Sequence, residues 1–310
     1  MNPLSLCLQR LGKRLDNKRK VGLCTASGCA ILTLVTVIVT LINVVFPSGT
    51  RSLHIHSVDV ADFGVHTTRA SCDRATRDMY AYQQGSSASI SLNVSHLAPP
   101  YNKSRGWLSQ RREDRWLYEH FFHDGVFSGP GTFLELGALD GIRYSNSYIF
   151  EKALQWKGVL IEASTPNFAA LEENRGQGST ALTLHAAICE HGDIMEIYGS
   201  GATAGETVVH SQKQQGRISR VPCIQINDVL RRFGISKLDL LSLDVEGMEL
   251  VVLEQLDFQA VQTFVILVEM RPVDESSNPS TRKYLYEQGF CMFAQNVGAN
   301  NEVWINPKYS

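Results

Sequence analysis

Four times between Thr132 and Met270 the chain repeats one short cycle: a mostly apolar run, a carboxylate in or just past its end, then an apolar spacing that fits a helix. The runs are "TFLEL" (Thr132–Leu136), "GVLIEA" (Gly158–Ala163), "LDLLSLDVEG" (Leu238–Gly247) and "FVILVEM" (Phe264–Met270). Such runs read as buried strands. Strands alternating with helices leave few solutions besides an open, largely parallel α/β sheet.

The segments between fit that reading. "SNSYIFEKAL", "INDVLRRFG" and "MELVVLEQL" have helical spacing. "TPNFAALEENRG" starts a helix with Thr165 as cap and Pro166 at the first helical position, and Gly176 closes it. A third strand is expected over Ala181–Cys189, an antiparallel excursion in "IMEIYG" and "RVPCIQI", a helix at Thr281–Gln288, and a terminal hairpin from "FCMFAQ" and "EVWIN". Upstream, "REDRWLYEHFF" places Trp116, Leu117, His120 and Phe121 at helical spacing.

The N-terminal end obeys other rules. Arg10, Lys13, Arg14, Lys18, Arg19 and Lys20 precede a stretch from Val21 to Thr50 that carries no charge. Val21–Phe46 is 26 residues, about 39 Å as a helix, against a bilayer core of roughly 30 Å. A cleaved signal peptide has a shorter apolar region and a small-residue exit, which "VVFPSGT" does not offer. The expectation is an uncleaved signal-anchor. Its basic flank keeps residues 1–20 in the cytosol and sends the rest into a lumen, as a type II protein of the Golgi or endoplasmic reticulum membrane. Two sequons, Asn93-Val94-Ser95 and Asn102-Lys103-Ser104, suit that side, whereas Asn278-Pro279-Ser280 is disqualified by its proline.

Residues 47–108, rich in Ser, Thr, Asn and Gly, read as a flexible, largely disordered stem, and residues 109–310 as the folded domain. A net charge of −2 gives no reason to expect nucleic acid. Cys72, Cys189, Cys223 and Cys291 would meet an oxidising lumen. A Cys189–Cys223 bridge joins two expected strands; buried free thiols are the other reading. No Cys/His spacing suggests a metal.

In doubly wound sheets ligands sit at the carboxyl ends of the strands, where strand order reverses. After the first run come Gly137 and Gly141, with Glu135 and Asp140 beside them. The glycines let backbone approach a ligand closely. The spacing is not that of a dinucleotide loop, and carboxylates here would repel a pyrophosphate and welcome a sulfonium or an amino group. Glu162 ends the second strand, where an acid can accept hydrogen bonds from both ribose hydroxyls; capping the next helix is its alternative. Asp244 and Glu246 could orient a substrate hydroxyl, bind an amino group or hold a divalent metal. Closing the strand and capping the next helix is their structural alternative. Glu269 and Arg271 end the last run, where an ion pair between them is the plainer reading. His185, His191 and His210 are further base candidates.

"FLELGALDG", "SNSYIFEKALQWKGVLIEA", "HAAIC" and "LLSLDVEGMEL" resemble, in order, the motifs of the FkbM-type methyltransferases, a branch of the class I S-adenosylmethionine-dependent enzymes. The resemblance covers about Ser109 to Asn306. It implies a Rossmann-like doubly wound sheet of seven strands with an antiparallel C-terminal hairpin, and O-methylation of a sugar, glycan or small-molecule hydroxyl. It places Glu135, Gly137, Asp140 and Gly141 around the methionine part of S-adenosylmethionine, with Ser145 and Asn146 near the same end. It makes Glu162 the ribose acid and runs His185–Ala187 past the adenine. Asp244 and Glu246 match the family's Asp-x-Glu-Gly, with Asp244 near the cofactor and both acids as candidates for holding the acceptor. Gln110 and Asp114 resemble a short opening motif. Two rivals stand beside this: a Golgi glycosyltransferase, against which the helix directly after Gly247 counts, and a non-catalytic binding or trafficking protein that kept the fold.

Overall fold

The computed structural model describes residues 72–74, 92, 94–97, 106–123, 129–189, 193–198, 218–270, 277–298 and 300–309. All lie in a compact unit that begins at Val60. The expected signal-anchor, the cytosolic tail, Asn93, Asn102, His191, His210 and Arg271 lie outside the described residues. Among the described residues no helix is long and apolar enough to cross a membrane.

Strands β1 (Thr132–Leu136), β2 (Lys157–Glu162) and β3 (Ala181–His185) alternate with helices α2 (Tyr148–Leu154) and α3 (Thr165–Arg175), after a short α1 (Glu113–Leu117) that runs on into a π turn over Tyr118–Phe122. A two-residue β4 (Ala187–Ile188), β5 (Ile194–Tyr198) and β6 (Ile218–Ile224) follow. Then come α4 (Ile226–Arg232), β7 (Lys237–Leu243), α5 (Glu249–Gln255), β8 (Gln262–Glu269), α6 (Ser277–Glu287), β9 (Cys291–Val297) and β10 (Asn301–Ile305). The main sheet has the order β3-β2-β1-β7-β8-β10-β9, with β10 antiparallel to both its neighbours. Strand order reverses between β1 and β7, so their carboxyl ends open a crevice.

Both faces of the sheet are covered, which explains the unbroken apolar runs. Leu134, Leu136, Ile161, Leu241, Leu243 and Ile266 point into one core with α4 and α5. Phe133, Leu160, Leu240, Val265 and Leu267 point into the other, against Leu117, Phe121 and Trp156. Each such side chain contributes roughly 1.5–3 kcal/mol by leaving water.

Three local expectations are corrected. The third strand breaks at Ala186: β3 joins the main sheet and β4 pairs with β6 in a separate sheet ordered β4-β6-β5. Helix α3 begins at Thr165, so the cap position belongs to Ser164, which makes no side-chain capping bond. The segment read as a flexible, largely disordered stem touches the domain at two described residues: Val94 is buried and Cys72 forms a disulfide with Cys291 of β9. The second disulfide joins Cys189 and Cys223, the pair singled out from the sequence.

Candidate functional site

The ends of β1, β2 and β7 are tied by backbone. Gly137 N and Ala138 N donate to Ile161 O at 3.0 and 3.2 Å, and Asp244 N donates to Leu136 O at 3.2 Å. Gly137 has φ +78, and a Cβ there would lie 1.8 Å from Asp244 O. The close approach the sequence predicted for Gly137 is therefore to the β7 loop.

Two adjoining chambers open above this floor, sharing Leu136, Gly137, Glu162 and Asp244. Counted with their open mouths they enclose about 540 and 500 Å³ of atom-free space. The first is apolar, walled by Ile161, Ala187 and Ile188 on one side and Met195 and Ile197 of β5 on another. The second is polar, bounded by Leu139, Tyr144, Asn146, Asn167, Ser242 and Glu246.

The loop after β1 is shaped by groups that the sequence had assigned to the ligand. Asp140 Oδ1 accepts from Ile142 N and Arg143 N at 3.0 and 2.7 Å, and neither Asp140 nor Gly141 lines a chamber. Gly141 has φ +75, and a side chain there would also strike Leu171 and Arg175. Glu135 borders the polar chamber, yet its oxygens turn inward. They accept from Asn146 N at 2.8 Å, Ser145 Oγ at 2.9 Å and Ser147 Oγ, and Arg175 Nη1 lies 3.9 Å away. Ser145 is buried in that network and accepts from Arg175 Nη1. Asp140, Gly141, Glu135 and Ser145 thus form the frame of the site, while Asn146 faces the chamber and donates to Ser242 Oγ at 3.0 Å.

Glu162 sits where the chambers meet. Its Oε2 accepts from Leu139 N at 2.8 Å, and its Oε1 from Ser164 N at 2.7 Å, so it both holds the two loops and borders the groove. Burial outweighs these bonds and raises its pKa to about 7. Asp244 is exposed to the groove but crowded by protein on its other sides. That desolvation first, then the carboxylates of Glu269, Glu246 and Glu249, raises its pKa well above the usual range. The structural task envisaged for Asp244 and Glu246 falls to Glu249, whose Oε1 accepts from Val245 N at 3.2 Å and Gly247 N at 3.1 Å. Glu246 borders the polar chamber with φ +54. Among the described residues no group of three or more His, Cys, Asp or Glu is arranged to hold a metal.

The residues present fit S-adenosylmethionine. An apolar chamber walled by Met195 and Ile197 suits a purine, an acid stands at the junction for a ribose, and the polar chamber is bordered by Glu162, Asp244 and Glu246 beside Arg143. That balance favours a sulfonium over a pyrophosphate. Met195 and Ile197 were not foreseen as lining residues; their period-two spacing in "IMEIYG" was the signal available. His185 stacks on Phe168 with ring centroids 4.8 Å apart and lines neither chamber. The motif around Asp114 also gains a task. Wholly buried, Asp114 accepts from Leu108 N, Ser109 N and Ser109 Oγ, and Ser109 bridges to Tyr144 at the rim of the polar chamber. Gln110 is exposed.

Residues 135–292, just over half of the chain, match the family model described as the methyltransferase FkbM domain. The comparison with curated proteins found no match. Solved structures with a similar fold include an FkbM methyltransferase from Methylobacillus flagellatus, with 10% identity over 76% of this chain and 60% of that one, TM-score 0.37. An O-methyltransferase from Bacillus cereus in complex with SAH has 12% identity over 75% and 90%, TM-score 0.34. Aeropyrum pernix fibrillarin with bound S-adenosylmethionine has 9% identity over 57% and 66%, TM-score 0.34.

Proposed function

The chain belongs to the FkbM methyltransferase family, and from that premise we propose that it uses S-adenosylmethionine to methylate a hydroxyl of a sugar, glycan or small metabolite in the secretory lumen. The observation that carries this reading is the pair of chambers joined at Glu162 and Asp244, one apolar and one acidic. Ile161, Ala187 and Met195 take the adenine, Glu162 the ribose hydroxyls, and Asn146 with the backbone at Gly137 the methionine end. The bound donor supplies an activated methyl group. Asp244 and Glu246 hold the acceptor hydroxyl at the polar chamber, where positioning provides much of the acceleration.

Two disulfides in the domain support an oxidising compartment, and the basic flank before the apolar span supports anchorage with residues 47–310 in the lumen. Calorimetric titration of the purified full-length protein tests the reading. Binding of S-adenosylmethionine, with no heat from nucleotide sugars plus manganese, is expected. The reverse would turn the protein into a glycosyltransferase, and binding of neither would leave an adaptor. Glycosidase-sensitive modification of Asn93 or Asn102 in eukaryotic cells, with the domain protected from added protease, is expected for the lumenal location.

A further inference from the structure

Left-handed backbone gathers at the polar chamber. Among the described residues six other than glycine have φ in that region, and three of them, Leu139 at +52, Tyr144 at +65 and Glu246 at +54, border this chamber. A bulky residue is strained there and persists only where its surroundings over-determine it. For Tyr144 those surroundings are buried polar bonds. Asp114, wholly buried, accepts from Leu108 N at 2.7 Å and from Ser109 Oγ at 2.6 Å. Leu108 O in turn accepts from Tyr144 N at 3.0 Å, and Ser109 pairs with Tyr144 as an isolated parallel bridge. The opening motif around Asp114 thus fixes a strained tyrosine at the rim of the chamber. Core packing does not explain that residue, because Tyr144 is 42% exposed.

Its neighbours make the ring selective. The Arg143 guanidinium lies over it, 5.6 Å from the centroid, and stands 3.7 Å from Asp140. A ring that already carries one cation is a poor place for a second, such as the donor's sulfonium. An anion would meet Glu162, Asp244 and Glu246 around the same chamber. A neutral ring suits both sides, with a C–H face for the aromatic and hydroxyls for the acids and for Asn146.

We propose that Tyr144 is the acceptor platform of the site. Its ring, on the face opposite Arg143, stacks on the C–H face of an uncharged pyranose and so presents one hydroxyl edge to Asp244 and Glu246. The inference rests on the methyltransferase reading above and narrows its acceptor to neutral sugars.

The test uses the full-length protein saturated with S-adenosylhomocysteine, whose own binding is measured first by calorimetry. Saturation-transfer NMR then reads the binding of three methyl pyranosides (β-D-glucoside, β-D-galactoside and α-D-mannoside), of sorbitol as an acyclic polyol, and of methyl β-D-glucuronide as an anion. At least one neutral pyranoside should bind, with transfer concentrated on the C–H protons of one ring face. Sorbitol should not bind, and the glucuronide should bind at least about tenfold more weakly than the best neutral pyranoside. Tyr144→Phe keeps the ring and should stay within about twofold of the wild type. Tyr144→Asn places there a residue that tolerates left-handed φ but has no ring. It should unfold in urea at or above the wild-type midpoint and lose roughly fivefold to tenfold in pyranoside affinity.

Wild-type protein that holds S-adenosylhomocysteine but binds no pyranoside, binds sorbitol equally well or prefers the glucuronide would overturn the proposal and leave the methyltransferase reading standing. Wild-type pyranoside affinity in Tyr144→Asn, or its loss in Tyr144→Phe, would do the same. A urea midpoint well below the wild type's in Tyr144→Asn would also count against it, since the ring would then be serving the fold. Wild-type protein that binds no S-adenosylhomocysteine would instead defeat the methyltransferase reading and this inference with it.

Discussion

The carbonyl oxygen of Asp244 occupies the space in which a side chain at Gly137 would begin: an added Cβ would lie 1.8 Å from it. A backbone atom cannot rotate aside, so the loops after β1 and β7 would have to part at the shared floor of both chambers. Left-handed φ adds roughly 1–2 kcal/mol of strain for any L residue. Gly178, with φ +70 and nothing within 4 Å, supplies the comparison. Gly178→Ala should cost only that strain. Gly137→Ala should cost more in urea unfolding and abolish measurable binding of S-adenosylmethionine. Equal losses in the two variants would show that the close approach is unimportant.

Arg175 is wholly buried at the end of α3, with Nε 2.8 Å from Glu151 Oε2 and Nη1 3.1 Å from Ser145 Oγ. It also donates to Gly141 O at 3.2 Å, so one side chain ties α3 and α2 to the glycine loop. Removing it leaves Glu151 with Lys152 and Ser179 as its remaining partners and Glu135 with its amide and hydroxyl donors alone, and breaking a buried ion pair costs about 3–5 kcal/mol. Arg175→Met should lower stability by that amount and weaken cofactor binding through the loosened loop. Adding Glu151→Gln should recover part of the loss, because one buried charge is then gone. A double-variant cycle in urea with no recovery would place the role of Arg175 elsewhere.

The cycle of apolar run, acid and helix made the sheet legible, because a strand covered on both faces has to be apolar almost throughout. Leu240 and Leu241, and Val265 to Val268, show this directly, since successive residues enter opposite cores. Which acid would face the groove was not legible. Glu135 and Glu162 both end as buried carboxylates next to loop amides, and Glu135 turns inward because Asn146 N and the Ser145 and Ser147 hydroxyls converge on it, with Arg175, 40 residues after Glu135, behind them. The Cys72–Cys291 disulfide was hidden for a related reason. Nothing in the polar segment around Cys72 shows periodicity, so its attachment to β9 depends on a contact 219 residues away in sequence.

The Cys189–Cys223 disulfide staples the chain just after β4 to β6, beside Ala187, Ile197 and Val221. β6 in turn pairs with β5, whose Met195 and Ile197 wall the apolar chamber. A closed loop of 34 residues is worth about 3–4 kcal/mol by its effect on the unfolded chain. Replacing both cysteines by serine should lower stability by roughly that much. It should also weaken S-adenosylmethionine binding more than it weakens binding of free methionine, since only the adenine chamber loses its wall. Calorimetry with both compounds makes the comparison, and a parallel loss of both would argue for general loosening of the domain.

Glu162 yields a pH dependence whose sign follows from its burial. Its pKa in the folded protein is about 7, against roughly 4.3 for an unfolded glutamate. Between these values the native state holds a proton that the unfolded state has released. The stability from this group is therefore complete below about pH 4.3 and is lost as pH rises through 7. The difference amounts to roughly 3.5–4 kcal/mol. Glu162→Gln removes the titration and should remove this part of the decline between pH 5 and 8, read as the difference between the two proteins in urea unfolding. Glu162→Ala is a harsher change, because it also strips Leu139 N and Ser164 N of their acceptor, at about 1–3 kcal/mol for each buried amide. A Gln variant with the same pH slope as the wild type would mean that the carboxylate is ionised at neutral pH and that its two amide donors outweigh burial.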